Sequence, residues 1–282
     1  IPIDKCTENG IVVFNTPGAN ANAVKELVLA GMLIASRNVI DANAWANTLT
    51  GDDIAKQVEK GKSNFGGQEI KGKTLGIIGL GAIGILVANA AVHLGMNVIG
   101  YDPYLSVNNA LQLNRRVQCV TDIKEVFVNS DYITVHVPLM DSTRDTINAE
   151  AIEMMKDGVI VLNFARGGLV NDDAIKAGLA SGKVKKYVVD FPDDATVNQP
   201  GIIAIPHLGA STEESEDNCA IMASDEIKTY LETGDIINSV NLPNCSLPCD
   251  TVGRVTIIHK NVPNMIAKYT DALKAVNIAE MI

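Results

Sequence analysis

Gly79-Leu80-Gly81-Ala82-Ile83-Gly84 is a G-x-G-x-x-G run set directly after an apolar, strand-like stretch and at the start of a helical one. In that context the chemistry is pyrophosphate binding. Glycines allow a tight turn, let backbone N–H groups approach the phosphates, and lead into a helix N-terminus carrying about half a positive charge. Asp102 ends the next strand-like run, near the ~20-residue spacing at which a carboxylate accepts hydrogen bonds from the adenosine ribose. Such a carboxylate repels a 2′-phosphate, so NAD is expected rather than NADP. Gly79, Gly81, Ala82, Ile83, Gly84 and Asp102 are the candidate cofactor-binding residues on this reading.

Two further clusters follow later strand-like runs. Asn163-Phe164-Ala165-Arg166-Gly167-Gly168 sets an arginine where open α/β sheets bind ligands. Arg166 is either a planar fork for a carboxylate or a surface arginine beside a glycine turn. Pro206-His207-Leu208-Gly209-Ala210-Ser211-Thr212 sets a histidine in a tight turn before a helix, as a proton carrier or as a structural residue. His136, in an apolar run, and His93, on an apolar helix, read as core residues, and His259 lies far along the C-terminal segment. Cys245 and Cys249 have no second Cys or His pair nearby, so they read as ordinary thiols and no metal is expected.

The elements that must position these groups are legible from periodicity. A strand-like run at 11–14 ends in the turn signal Asn15-Thr16-Pro17-Gly18. A helical pattern follows, with Val24, Leu27, Val28, Leu33 and Ile34 apolar, closing near Arg37-Asn38. Residues 41–70 read as polar and irregular. Beyond them strands are expected at 75–78, 98–101, 117–120, 132–137, 159–163 and 186–190. Helices are expected at 83–94 and around 122–129, 147–155 and 171–181. That alternation predicts an α/β fold, a doubly wound parallel sheet of Rossmann type. An acidic helix is expected over 211–233, opened by Ser211-Thr212-Glu213-Glu214 and closed before Gly234. A Pro-containing linker runs from Asn241 to about Asp250, then a strand at 255–259, a turn at Pro263 and a helix to about Val276.

The 282 residues carry 23 basic and 33 acidic side chains, a formal net charge of −10, which argues against nucleic acid as the main partner. A hydrophobic content of 47% is enough for a core and excludes disorder. No charged residue falls between Gly76 and Gly100, a span long enough to cross a bilayer. Its clustered glycines with Asn89, His93 and Asn97 fit strand, turn, buried helix and strand instead, so no membrane is expected. The chain opens Ile1-Pro2-Ile3-Asp4 without a signal peptide, and five irregularly spaced cysteines point to a reducing, cytoplasmic setting.

Taken together, N-T-P-G at Asn15, G-L-G-A-I-G at Gly79, Y-D-P at Tyr101, H-V-P-L at His136, N-F-A-R-G-G at Asn163 and P-H-L-G-A-S-T at Pro206 resemble the D-isomer-specific 2-hydroxyacid dehydrogenases. The resemblance covers nearly everything from Gly10 to Asn241. It implies an NAD-dependent enzyme acting on a small 2-hydroxy or 2-oxo acid, most like the branch that interconverts 3-phosphoglycerate and 3-phosphohydroxypyruvate. Alternatives are reduction of hydroxypyruvate or glyoxylate, or an NAD-sensing binding protein. It implies that Arg166 grips the substrate carboxylate, that His207 is the acid/base, and that Asp194 partners it, with Asp193 one step away in the alignment. It also places Val137, Pro138, Phe164, Ala165, Arg166, Asp190, His207, Gly209 and Ala210 beside the cofactor, Asp190 facing the nicotinamide carboxamide. The family's architecture divides the chain into the end of a substrate domain (1–18), a dinucleotide-binding domain (19–206), and a helix returning to the substrate domain (207–243). Most of the substrate lobe is then absent, including a Gly-rich loop expected before Ile1. Residues 253–282 resemble the first half of an ACT domain, similar to a serine-binding regulatory module, so 250–282 is expected to be a partial module of that kind with L-serine as effector. Asn264 stands where glycine is common in such modules. A homodimer or higher homo-oligomer is the family habit.

Overall fold

The computed structural model describes residues 1–248, 253–278 and 280–281. The chain divides into two units, Asn20–Ser215 and Ile1–Ala19 with Glu216–Ile282. In the first unit seven strands form one parallel sheet: β1 (Thr74–Ile78), β2 (Asn97–Tyr101), β3 (Val117–Val120), β4 (Tyr132–Val135), β5 (Val159–Asn163), β6 (Val184–Val189) and β7 (Ile202–Ala204). Their order is β3-β2-β1-β4-β5-β6-β7. The order reverses between β1 and β4, the place where open α/β sheets leave a crevice beyond the strand ends.

Both faces of the sheet are covered, and the side-chain period of two shows it. Leu75, Ile77, Ile160, Leu162 and Val188 pack with α2 (Ala21–Arg37) and α5 (Ala82–His93). Their neighbours Ile78, Val159, Val161, Tyr187 and Val189 pack on the opposite side with α7 (Ile123–Asn129), α8 (Ala149–Met154) and α9 (Asp172–Ser181). Each such fully buried side chain contributes about 1.5–3 kcal/mol by leaving water. Tyr132 is buried too, its hydroxyl satisfied by Ser36 Oγ at 2.9 Å and Gln68 Nε2 at 2.8 Å. The uncharged stretch from Gly76 to Gly100 is most of β1, the glycine loop, α5 and most of β2. No helix among the described residues is long and apolar enough to cross a membrane.

Cap chemistry sets several helix limits where the sequence places them. Asn148 and Asn171 accept hydrogen bonds from Ala151 N and Ala174 N at the starts of α8 and α9, and left-handed Asn38 closes α2. The stretch 41–70 is a correction. It holds most of α3 (Val39–Ala46), α4 (Ile54–Gly61) and a 3-10 turn (Lys62–Phe65), with Trp45 against Phe65 at 5.1 Å. In α4 only Ile54 and Val58 repeat apolar at helical spacing, too little to mark a helix. α6 (Val107–Gln112) and β7 are likewise short elements that periodicity passes over.

In the second unit α1 (Ile3–Glu8) precedes the run expected as a strand. That run reduces to one antiparallel bridge, Phe14 with Ser239, because the Val13 N–H goes to the Asn241 side chain instead of a ladder carbonyl. The acidic helix forms as α10 (Glu213–Thr233), with Thr212 Oγ1 accepting from Ser215 N at 3.1 Å and Gly234 ending it at a φ of 75°. The strand expected at 255–259 is not formed: a strand exists by pairing, and no described segment pairs with it. The helix after Pro263 does form, as α11 (Met265–Ala272), with Asn264 left-handed just before it at a φ of 71°. Cys249 and Asp250 lie outside the described residues. Among the described residues no group of His, Cys, Asp and Glu is arranged to hold a metal.

Candidate functional site

The glycine loop after β1 is built so that each glycine answers a different demand. Gly79 sits at a φ of 98°, and a Cβ there would press on the His136 carbonyl, so the turn from β1 into the loop requires glycine. A Cβ on Gly84 would collide with the Gly79 carbonyl oxygen, so α5 can lie this close to β1 only without a side chain. Gly81 is the N-cap of α5, and a Cβ on it would meet nothing within 4 Å. Protein packing therefore does not account for a glycine at 81, whereas a pyrophosphate against the backbone does. Ala82 and Ile83 open the helix behind it, with N–H groups that no intrahelical carbonyl accepts. The residues present fit a dinucleotide.

Asp102, after β2, is half-buried, and its two oxygens accept from Leu80 N and Tyr104 N, each at 2.8 Å. It thus braces the glycine loop from the side where a ribose is expected, and each oxygen keeps a further lone pair. Val137 packs against Gly79, and Pro138 follows it, exposed, at the end of the same β4 turn. Behind them the His136 Nε2 lies 3.0 Å from Thr134 Oγ1, while its Nδ1 is buried without a partner. Burial pulls the His136 pKa down from 6.5 to about 4.

Arg166 is carried by a turn that buried Asn163 shapes. Asn163 Nδ2 donates to Arg166 O at 2.8 Å, and its Oδ1 accepts from Ala165 N at 3.2 Å. The guanidinium is exposed and donates to Ala165 O at 2.7 Å. Phe164 lies differently from what a cofactor contact through its side chain needs: its ring is buried over Gly31 of α2. Asp190, after β6, is buried, and its Oδ1 and Oδ2 accept from Leu208 N and Gly209 N at 2.8 Å each. That carboxylate grips the turn after β7, in which His207 is exposed and holds a φ of 53°. Gly209 is needed there because a Cβ would press on Asp190 Oδ2, and half-buried Ala210 follows.

The structure brings Arg166 and His207 to one shared ring. The His207 imidazole stacks on Phe191 with centroids 4.4 Å apart and a 45° tilt, and Arg166 Cζ lies 5.5 Å from the same Phe191 centroid. It does not bring a carboxylate to His207: no hydrogen bond or ion pair joins its ring nitrogens to the described residues. Asp193 is occupied by Ala195 N and Thr196 N at 3.1 Å and Thr196 Oγ1 at 2.8 Å. Burial, then the charge of Asp193, raises the pKa of Asp172. Asp194 is exposed, and its carboxylate makes no hydrogen bond with the described residues. Asn163 and Phe191 are the residues that motif reading did not single out. Asn163 stood inside a quoted motif, and an Asn at a strand end before a glycine turn is the signal that could have found it. Phe191 stood inside the run 189–194 that the resemblance aligns with the acid/base partner, and was given no role there.

Residues 29–209 match the NAD-binding domain of the D-isomer-specific 2-hydroxyacid dehydrogenases. The chain is 36% identical over its whole length to a D-3-phosphoglycerate dehydrogenase of Methanocaldococcus jannaschii, of which it spans 53%. It is 38% identical over 80% of its length to a hydroxypyruvate reductase of Thermotoga maritima, spanning 72% of that protein. Among solved structures, D-2-hydroxyisocaproate dehydrogenase superposes with a TM-score of 0.75 at 26% identity, over 86% of this chain and 75% of that one. The chain thus spans about half the length of the phosphoglycerate dehydrogenase it matches.

Proposed function

The chain belongs to the D-isomer-specific 2-hydroxyacid dehydrogenases, and from that premise we propose that it interconverts a small 2-hydroxy acid and its 2-oxo acid with NAD. The acid we assign is 3-phosphoglycerate, going to 3-phosphohydroxypyruvate, the first step of serine biosynthesis. The observation that carries the reading is the meeting of Arg166 and His207 beyond the C-terminal ends of β5, β6 and β7, on the sheet edge that also holds the glycine loop.

When bound, NADH supplies a hydride to the carbonyl carbon of the oxo acid. His207 gives the proton that the developing oxyanion takes up, and in the oxidation direction removes it from the hydroxyl. Arg166 holds the substrate carboxylate with its planar fork and so orients the carbonyl. Asp194 is the partner we assign to His207: its carboxylate is free, whereas that of Asp193 is held by Thr196. Asp190 reaches the nicotinamide carboxamide only with the lone pairs that Leu208 N and Gly209 N leave over.

A second reading, reduction of hydroxypyruvate or glyoxylate, is favoured by the likeness to the Thermotoga maritima hydroxypyruvate reductase. NADH oxidation with phosphohydroxypyruvate, hydroxypyruvate and glyoxylate side by side separates the two. Preference for the phosphorylated acid supports the first and makes L-serine the effector to test. Preference for an unphosphorylated acid moves the pathway and keeps the chemistry. NADH binding with no turnover on any of the three refutes both and leaves a different 2-hydroxy acid or an NAD-sensing protein. A homo-oligomer fits the exposed apolar Leu33, Val39, Ile40 and Ile54 on α2, α3 and α4. A reducing, cytoplasmic compartment fits the unpaired Cys6, Cys119, Cys219 and Cys245.

A further inference from the structure

We infer that Phe191 is the positioning residue of this site, its ring holding the His207 imidazole and the Arg166 guanidinium in one arrangement. The role in turnover rests on the dehydrogenase reading above; the ring contact does not. His207 is exposed and its ring nitrogens have no hydrogen-bond partner among the described residues, so the Phe191 ring, its centroid 4.4 Å away, is what restrains that imidazole. Among the described residues the Arg166 guanidinium has one hydrogen bond, to the adjacent Ala165 carbonyl, and it lies against the same ring with Cζ 5.5 Å from the centroid. A cationic group is attracted to an aromatic face, and tilted ring pairs at this separation are favourable contacts.

The ring is itself well held. Pro192 follows it and confines the Phe191 backbone to the extended region. Asp190 precedes it, buried, with both oxygens on the amides of Leu208 and Gly209. Consecutive residues after β6 thus hold the neighbouring turn twice: the Asp190 carboxylate accepts from its backbone amides, and the Phe191 ring lies against its imidazole. Because one ring touches both the carboxylate clamp and the proton carrier, their spacing is set by a third residue and not by either alone.

The test compares Phe191→Leu, which keeps apolar bulk but has no π face, with Phe191→Tyr, which keeps the ring. Both are made in the full protein, and thermal melts and NADH titration check that fold and cofactor affinity persist. The chain has four histidines, so the His207 Cε1–H resonance is assigned by its disappearance in His207→Gln. In the parent and in Phe191→Tyr it carries a ring-current shift; in Phe191→Leu that shift is lost. The kcat/KM for the preferred oxo acid falls about ten- to a hundredfold in Phe191→Leu and stays within about threefold in Phe191→Tyr, the scale expected when reacting groups drift by up to an ångström. A His207 resonance that does not move in Phe191→Leu overturns the contact. A lost shift with kcat/KM within about twofold of the parent overturns the positioning role. If Phe191→Leu melts early, Phe191→Met carries the same two readouts. A parent that binds NADH but turns over none of the three acids overturns the substrate assignment instead, and the resonance alone then decides the contact.

Discussion

At His207 the backbone holds a φ of 53°, a region that a non-glycine residue enters only where its surroundings impose it. The imposing group is Asp190, whose carboxylate takes the next two amides, so the His207 turn is aimed from the end of a neighbouring strand. If His207 is that carrier, His207→Gln lowers kcat by about 10²–10⁴-fold and leaves NADH affinity nearly unchanged, since the dinucleotide is held by the glycine loop. Stopped-flow turnover beside a fluorescence titration of NADH reads both. Equal turnover in the variant would remove His207 from the mechanism. Arg166→Lys keeps the charge but loses the fork, so kcat/KM for the oxo acid drops about tenfold or more. Steady-state kinetics showing no change would mean that another group holds the carboxylate.

One scale up, the turn from β1 into α5 separates folding from binding within a single hexapeptide. Gly84 is required by the fold, because any Cβ collides with the Gly79 carbonyl. Gly81 is not: its φ of −79° suits any residue and a Cβ meets open space. Gly81→Ala is therefore expected to leave stability unchanged or raised by up to about 1 kcal/mol, while NADH affinity falls because the pyrophosphate loses its close approach. Gly84→Ala is expected to lower the melting temperature itself. Thermal melts and NADH titrations on the two variants test the division, and equal losses of affinity at equal stability would contradict it.

For the whole molecule, His136, half-buried with its Nδ1 shut away from water, ties stability to pH. Its pKa is about 4 in the fold against 6.5 for the free side chain, so between those values the unfolded chain binds more protons. Stability is present above pH 6.5 and is lost as pH falls towards 4, by about 2 kcal/mol between pH 7.5 and 5. Urea unfolding at those two pH values shows the loss in the parent, and His136→Gln flattens that part of it. An unchanged slope in the variant would place the titrating group elsewhere. The same burial that creates this sensitivity seats the end of β4 firmly behind Gly79, whose Cβ position the His136 carbonyl fills.

Local patterns were enough for the strands from β1 to β6, the helices α2, α5 and α7 to α10, and the glycine turn between β1 and α5. Each depends on residues within a turn or so of one another, through side-chain period, cap chemistry or glycine conformation. Short or weakly apolar elements such as α4 and β7 left no such pattern, and the pairing that 255–259 would need is not local. Tertiary structure alone decided that Asp190 grips the His207 turn and that Phe191 joins Arg166 to His207. Those contacts exist because β5, β6 and β7 lie side by side, so residues 163–166, 190–191 and 207–209 come together across gaps that no local rule spans.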